Sequence, residues 1–215
     1  MIGSDLTIRA CGSRLSSDGL SRLLSSHYLM RRPSVSFGFE LMRSGSVVGV
    51  CTFGVPASRH MQISACPSDP DLVLELNRLW IDDSEQRGTA SWFLSRALRQ
   101  IPPRIILSYA DTSAGHDGIV YRAANFFYAG WTDMDRKTAR FDYVFPGGHT
   151  RSAFRSGNGV SSERVRRRPK AKYWTISGGR GARRKIEKIC EWERLDWKKY
   201  PVPHEHMQLL LHTEY

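Results

Sequence analysis

The sequence predicts an α/β fold of the mixed, α+β kind: a central sheet flanked by helices, with a basic extension at the C-terminal end. Three observations lead there. Apolar runs of strand length, bounded by Gly, Pro and Ser, alternate with segments of helical period. A chain of 215 residues that is 40% hydrophobic and 11% aromatic has enough apolar surface for one compact core. The net charge of +11 is gathered in a single late segment instead of being spread over the surface.

The elements follow in order. Residues 6 to 10 alternate and read as a first strand. Ser16-Ser17-Asp18 caps a helix over Leu20, Leu23 and Leu24. His27-Tyr28 follows that helix and opens a loop to Pro33 containing Arg31 and Arg32. Residues 35 to 42 and 47 to 53 form an antiparallel pair around the turn Arg43-Ser44-Gly45-Ser46. Residues 59 to 70 read as loop. Residues 73 to 81 form a strand carrying Glu75, Asn77 and Arg78, and 89 to 98 a helix with Trp92, Phe93 and Leu94 inward. A buried strand runs from Ile105 to Tyr109. A helix then carries Tyr121, Asn125 and Tyr128 on one face. Residues 140 to 145 are a strand ended by Pro146-Gly147-Gly148, and 155 to 162 a linker. Residues 172 to 176 return as a strand, and 183 to 192 form a helix with Ile186, Ile189 and Cys190 inward.

Composition narrows the class. No apolar run approaches the roughly 20 residues that span a bilayer, and MIGSDLTIRACGS lacks the apolar core of a signal peptide. A cytoplasmic protein without membrane contact is expected. Cys11, Cys51, Cys66 and Cys190 are scattered with no CxxC pair, which suits reduced, mostly buried thiols. Between residues 151 and 199 sixteen Lys and Arg face five acids, which accounts for the whole excess of +11; the remainder is balanced. Arg164, Arg166, Arg167, Arg168, Lys170, Lys172, Arg183, Arg184 and Lys185 lie in this stretch, with Tyr173, Trp174, Trp192 and Trp197 between them. Basic clusters gain affinity for a polyanion by releasing its counterions, and aromatics offer stacking faces. A solvated tail that aids solubility is the plainer alternative. The division expected is 1–150 as a catalytic core and 151–215 as a basic DNA-binding segment packed on or continuing that core.

The most informative stretch is YADTSAGHDGIVYRAANFFYAGW, residues 109 to 131. A buried strand ends there, and Asp111, His116 and Asp117 follow in a loop with Gly115 and Gly118. Acid, imidazole and phenol groups at strand ends are how α/β enzymes build sites. Asp111 is the acid–base or orienting candidate. His27 and Tyr28, His116 and Tyr128 are further catalytic candidates. Arg78, Ser108, Tyr121 and Asn125 are candidates for substrate contact. Each has a plainer reading: His27 as a helix-end cation, Arg78 as a buried ion pair with Glu75 or Asp111, His116 as a loop residue, Tyr121 as core.

The order of one early helix, several antiparallel strands, then strand–helix–strand–helix–strand resembles the GCN5-related N-acyltransferase-like fold. That family's acyl-CoA loop has the pattern Arg/Gln-x-x-Gly-x-Gly/Ala before a helix. Here the corresponding Ser84-Glu85-Gln86-Arg87-Gly88-Thr89-Ala90-Ser91 has one glycine and no clean match to that pattern. A closer resemblance is carried by Tyr109-Ala110-Asp111, Gly115-His116-x-Gly118, Tyr121-x-Ala123-x-Asn125-x-x-Tyr128-x-Gly130, His27-Tyr28 with the following Arg31-Arg32-Pro33, and Glu75-Leu76-Asn77-Arg78-Leu79. Together with the basic segment these residues resemble the Mom family of phage DNA-modification proteins. The resemblance implies an enzyme of the infected bacterial host's cytoplasm that converts adenine in double-stranded DNA to N6-carbamoylmethyladenine. The added group would block the major-groove edge that restriction enzymes read. Arg31, Arg32 and the cations of the basic segment are then expected on DNA. The donor stays open between glycyl-tRNA, which brings tRNA as a partner, and acetyl-CoA; iron has been proposed for the family, but no ligand spacing marks a metal site. Oligomeric state, including a homodimer, is open. Two other functions compete: a small-molecule N-acetyltransferase of the same fold, and a non-catalytic DNA-binding protein.

Overall fold

A computed structural model describes residues 5–27, 32–112, 115–138, 140–145, 148–149 and 163–202. It has the mixed α/β architecture expected, built on a seven-stranded sheet. The strands are β1 (Leu6–Gly12), β2 (Phe37–Arg43), β3 (Ser46–Gly54), β4 (Val73–Ile81), β5 (Ile105–Ala110), β6 (Phe127–Trp131) and β10 (Ala171–Ile176), in the order β1-β2-β3-β4-β5-β10-β6. All neighbours are antiparallel except β4 and β5. A second sheet has the order β8-β7-β9, from β7 (Phe141–Phe145), β8 (Gly148–His149) and β9 (Glu163–Arg166). Among the described residues no helix is long and apolar enough to cross a membrane.

Strand pleating sends alternate side chains to opposite faces, so each face needs its own cover. On one face, α3 (Thr89–Gln100) and α4 (Ile119–Ala123) close the larger core. Phe93, Leu94, Ala97 and Leu98 pack there against Phe39, Leu41, Cys51, Phe53 and Leu76. On the opposite face α1 (Ser17–Ser26) sets Leu20 and Leu23 against Val47 and Val50. Further along that face α2 (Arg59–Ala65) and the chain near Trp192 cover Val73, Ile105, Leu107 and Trp174. Emptying a site such as the fully buried Phe93 by an alanine would cost about 3–5 kcal/mol.

Local chemistry explains most boundaries. Ser16 caps α1 by accepting from Gly19 N at 3.0 Å. Both its backbone N and its hydroxyl also donate to Glu40 at 2.8 Å. Glu40 is fully buried and paired with Arg9. A Cβ on Gly19 would lie 2.2 Å from Glu40 Oε1, so the helix start needs glycine to sit on the sheet.

Three expectations need correction. Residues 59–70 are not all loop: α2 forms, followed by a 3-10 turn at Pro70–Leu72. Its Gln62 is buried and donates to the carbonyls of Pro70 and Val73, a tertiary bond that local propensity does not reveal. The last helix, α5 (Arg180–Glu187), stops before Ile189 and Cys190, which pack without helical backbone. The third correction bears on the site. The helix from Tyr121 does not continue to Tyr128: α4 ends at Ala123, Asn125 takes a left-handed φ of 61°, and Phe127–Trp131 is strand. Asn tolerates that helix-ending conformation. Burial of Phe126 and Tyr128, the latter against Tyr173, then favours extended chain over another helical turn.

The expected linker at 155–162 lies outside the described residues. Residues 171–176 return as the expected strand, and it lies between β5 and β6.

Candidate functional site

The site grows from two irregularities of the sheet. The first is a bulge in β4. Phe53 pairs with Leu76 and Thr52 with Arg78, so Asn77 is an extra residue. Bulges re-aim the side chains beyond them. Leu74 and Leu76 before it, and Leu79 and Ile81 after it, all face the larger core. Asn77 itself accepts from Thr52 Oγ1 at 2.6 Å and donates to Ser34 O at 2.7 Å. A Cβ on Gly54 would lie 2.1 Å from that same Ser34 oxygen. The absent side chain at Gly54 and the amide of Asn77 thus hold the segment before β2 tight against β3 and β4.

The second irregularity is a splay. Parallel β4 and β5 bond only between Val73–Glu75 and Ile105–Leu107. Ser108 Oγ then reaches across to Leu76 O at 3.4 Å. Beyond it β4 continues along β3, and β5 along β10. A cavity of about 650 Å³ fills the gap. It receives residues from both faces of the sheet: Glu75 and Tyr109 from one, Leu76, Leu79, Val120 and Tyr121 from the other. The chain after α1 adds His27, Arg32 and Ser34, the loop before α4 adds His116 and Asp117, and α4 adds Ile119.

Electrostatics distinguish the groups. The pKa of His27 is pushed down to about 4, first by burial and then by the charges of Arg78 and His116. At neutral pH it is an uncharged imidazole, a hydrogen-bond donor and acceptor in one ring. Arg78 is buried, and its guanidinium donates to Asn77 O at 2.6 Å. Burial, with the Glu75 carboxylate adding, pushes the Tyr109 phenol up. Asp111 is buried at the end of β5, and Lys170 Nζ stands 2.5 Å from its Oδ2. Lys170 also lines the cavity. Its backbone is fixed by Thr132, whose hydroxyl accepts from Lys170 N at 2.9 Å and whose N donates to Lys170 O at 2.9 Å.

The loop after Asp111 is tightly drawn. His116 N donates to Asp111 O at 3.1 Å. Gly118 has φ 75°, and a Cβ there would lie 2.3 Å from the Tyr173 hydroxyl. Asp117 Oδ1 accepts from Ile119 N at 3.0 Å, and Arg122 bonds both Asp117 O and the Tyr173 hydroxyl. Tyr121 donates to Tyr109 O at 3.4 Å. The exposed His116 is thereby held beside the cavity by backbone geometry.

Of the residues singled out from sequence, His27, Arg32, Arg78, His116, Tyr121 and Lys170 line one cavity. Asp111 is joined to it through Lys170, and Ser108 is buried at the base of the splay. Tyr128 is not brought there. It is buried on β6, its hydroxyl donates to Tyr200 O at 2.7 Å, and its pKa is pushed up to about 12 by burial and then by Tyr173. Asn125 is exposed beyond α4 and absent from the lining. Tyr28 and Arg31 lie outside the described residues. Sequence reasoning did not single out Tyr109, Asn77 or Glu75 as site residues. The signal was present: three polar residues within Glu75-Leu76-Asn77-Arg78 interrupt an apolar strand, as a bulged strand at a site does.

The basic residues divide into distinct environments. Arg164 and Arg166 lie on β9, Arg167 and Arg168 just after it, and Arg183, Arg184 and Lys185 on α5. Lys172 is half-buried over the Trp192 ring at 5.2 Å, and desolvation lowers its pKa. Among the described residues no group of three His, Cys, Asp or Glu stands together as metal ligands, so iron finds no ligand set there. At the other side of the cavity α3 begins on Gly88, left-handed and without a side-chain cap, and Ala90 lines the wall. Thr89 N donates to Gln86 O at 3.0 Å, and the amides that follow it in the first turn suit a phosphate group.

Comparisons with known proteins bear on this site. The profile of the Mom protein family matches residues 10–178. A 62-residue stretch is 39% identical to the methylcarbamoylase Mom of Escherichia phage Mu, covering 26% of this chain and 26% of that one. Among solved structures, a GNAT-family acetyltransferase from Bacillus cereus is 14% identical with a TM-score of 0.43, covering 81% of this chain and 99% of its own. An N-acetyltransferase from Staphylococcus aureus Mu50 is 15% identical with a TM-score of 0.45, covering 80% and 98%.

Proposed function

This chain belongs to the Mom protein family, and from that premise we propose that it is a transferase that modifies adenine in phage double-stranded DNA. The product of the reading is N6-carbamoylmethyladenine, which protects the DNA from host restriction. The observation that carries it is the splay cavity. Its lining comes from both faces of the sheet and combines a neutral imidazole, a second histidine and a buried guanidinium. Two reactants require such an open passage, and a transfer to an amine requires groups that move protons and steady developing charge. The phage Mu relative is a methylcarbamoylase, which supports the same chemistry.

The residues take the following parts. His27 and His116 relay the protons of the attacking amine. Arg78 meets developing negative charge, as a guanidinium does without needing a proton. The pair Asp111–Lys170 fixes the polar edge of the cavity. An exocyclic amine is out of reach inside a duplex, so the adenine enters extruded from the stack.

For the donor the proposal is an activated glycine, as glycyl-tRNA, with acetyl-CoA the alternative. A glycyl group on the adenine amine is an isomer of the carbamoylmethyl product, whereas an acetyl group lacks the nitrogen. Acylation joins the glycyl carbonyl carbon to the adenine amine and releases the tRNA hydroxyl. The glycine amine then attacks the ring carbon through a five-membered spiro ring, and the original carbon–nitrogen bond breaks. Glycine nitrogen ends on the ring and adenine nitrogen in the carboxamide, with no atom gained or lost. Either donor bears phosphate, which suits the uncapped start of α3.

The test is mass spectrometry of nucleosides from cells expressing the chain and fed nitrogen-15 glycine. Carbamoylmethyladenine with label on the ring-attached nitrogen is the expected result. Unlabelled product removes glycine as donor, and unmodified adenine removes the function.

A further inference from the structure

The small sheet lies outside everything the cavity uses. β7 and β9 pair antiparallel, with Phe141 opposite Arg166 and residue 143 opposite Arg164. Arg167 N extends the ladder to Arg140 O at 2.8 Å. Directly opposed residues share a face, and so do residues two apart on one strand. Phe141, Arg164 and Arg166 are therefore on the same face. Phe141 is 37% exposed, and the Arg164 guanidinium lies 3.8 Å from its ring centroid. Among the described residues the strand order is β8-β7-β9, with β9 at an edge.

Arginines on an exposed edge strand have a plain use, since charge discourages edge-to-edge aggregation. That use calls for charge alone. It does not account for a large aromatic left at the surface beneath a guanidinium, or for a face that joins the two.

We propose that the β7–β9 ribbon enters the major groove of duplex DNA and is the element by which the protein holds its substrate. β8 pairs only with residues 144 and 145, so at Phe141 the sheet is two-stranded; with strands about 4.8 Å apart, that part with its side chains fits a groove about 12 Å wide. The face offers guanidiniums, which bond guanine edges or phosphates, and an aromatic that makes apolar contact with a thymine methyl group. Arg167 and Arg168 continue from β9 toward Lys170, so the chain that lies on DNA runs directly to the cavity edge. A-form RNA has a deep, narrow major groove that excludes such a ribbon, which singles out DNA. The inference rests on the reading that this chain acts on DNA.

The experiment uses the full chain, a duplex DNA oligonucleotide and a duplex RNA of the same sequence. Phe141→Ala with Arg164→Ala and Arg166→Ala should weaken DNA binding at least about tenfold near 0.1 M salt and lower the salt slope by nearly one for each phosphate no longer neutralised. Dimethyl sulfate marks the groove: methylation of guanine N7 should interfere with wild-type binding, while methylation of adenine N3 in the minor groove should not. Arg164→Lys keeps the charge and should still lose part of the N7 interference. Binding within twofold of wild type by the triple variant, interference at adenine N3 alone, or equal affinity for duplex RNA each overturns the ribbon. Should the triple variant bind as wild type but aggregate, the edge is protective only and the proposal falls. DNA binding and modification that survive the triple substitution sink this inference alone. A wild-type chain that binds no duplex DNA sinks the functional reading with it.

Discussion

Lys170 Nζ stands 2.5 Å from Asp111 Oδ2, joining the basic segment to the acid at the end of β5. Asp111 is buried and the Lys170 side chain about a third exposed, so the pair sits at the border between cavity and solvent. Removing one partner weakens the compensation of the other charge near the interior.

Asp111→Asn is expected to lower carbamoylmethyladenine formation about a hundredfold, the lower end of what acid–base or orienting groups contribute. DNA affinity should stay within about twofold, since no positive charge is removed. Nucleoside mass spectrometry and a binding titration read the two effects. Wild-type product from Asp111→Asn would take this carboxylate out of the reaction.

His27 should remain neutral down to mildly acidic pH. Its pKa of about 4 lies below the ordinary imidazole value because of burial, Arg78 and His116. Unfolded chain therefore takes up a proton near the ordinary value while folded chain does not. The contribution of His27 to stability is thus intact above the ordinary imidazole pKa and declines as pH falls toward 4. An NMR titration of the ring measures it directly. Arg78→Met should raise the value part of the way, burial being the larger cause, and a midpoint unchanged by that substitution would deny that the two side chains interact.

Glu40→Gln should destabilise the fold by about 2–3 kcal/mol through loss of charge-assisted bonds to Arg9 and Ser16. Burial alone would raise the Glu40 pKa, but the Arg9 and Ser16 hydrogen bonds and the Arg9 charge outweigh it, and the net shift is downward. The stabilisation is present above the ordinary carboxylate pKa and is lost as pH falls through the lowered value. Denaturant melts of wild type and variant should accordingly converge in acid, and a constant gap would count against the linkage.

Among the described residues Tyr128→Phe removes the bond to Tyr200 O, a loss of about 1 kcal/mol. Modification should persist, because the hydroxyl is turned toward the C-terminal chain and away from the cavity lining. A collapse in product with unchanged melting temperature would restore it as a candidate.

Strand and helix identity was legible in sequence where patterning was strong: 73–81 as strand and the Ser16-capped helix match closely. The cavity residues His27, Arg78, His116 and Tyr121 were legible from the motifs that hold them. Tertiary causes hid the rest. The turn from α4 into β6 is set by a left-handed Asn125 and by Tyr173 receiving Tyr128, a partner 45 residues further along the chain. The Asn77 bulge is visible only once Thr52 and Ser34 are placed beside it. Lys170 read as one cation among many, and only its fixed backbone directs it to Asp111.

The place of β10 has a consequence for how the chain comes into being. Among the described residues β6 has no neighbour in the sheet except β10, and β5 has β10 along its far edge. The strand arrives some sixty residues after β5 ends, beyond β7 and β9. Pairings so far apart in sequence form late and slowly. A chain emerging from a ribosome therefore has its arginine ribbon translated before β5 gains its far neighbour and Lys170 reaches Asp111. No nascent fragment ending before residue 176 contains the complete seven-stranded sheet, so premature termination leaves β5 and β6 without the strand that joins them.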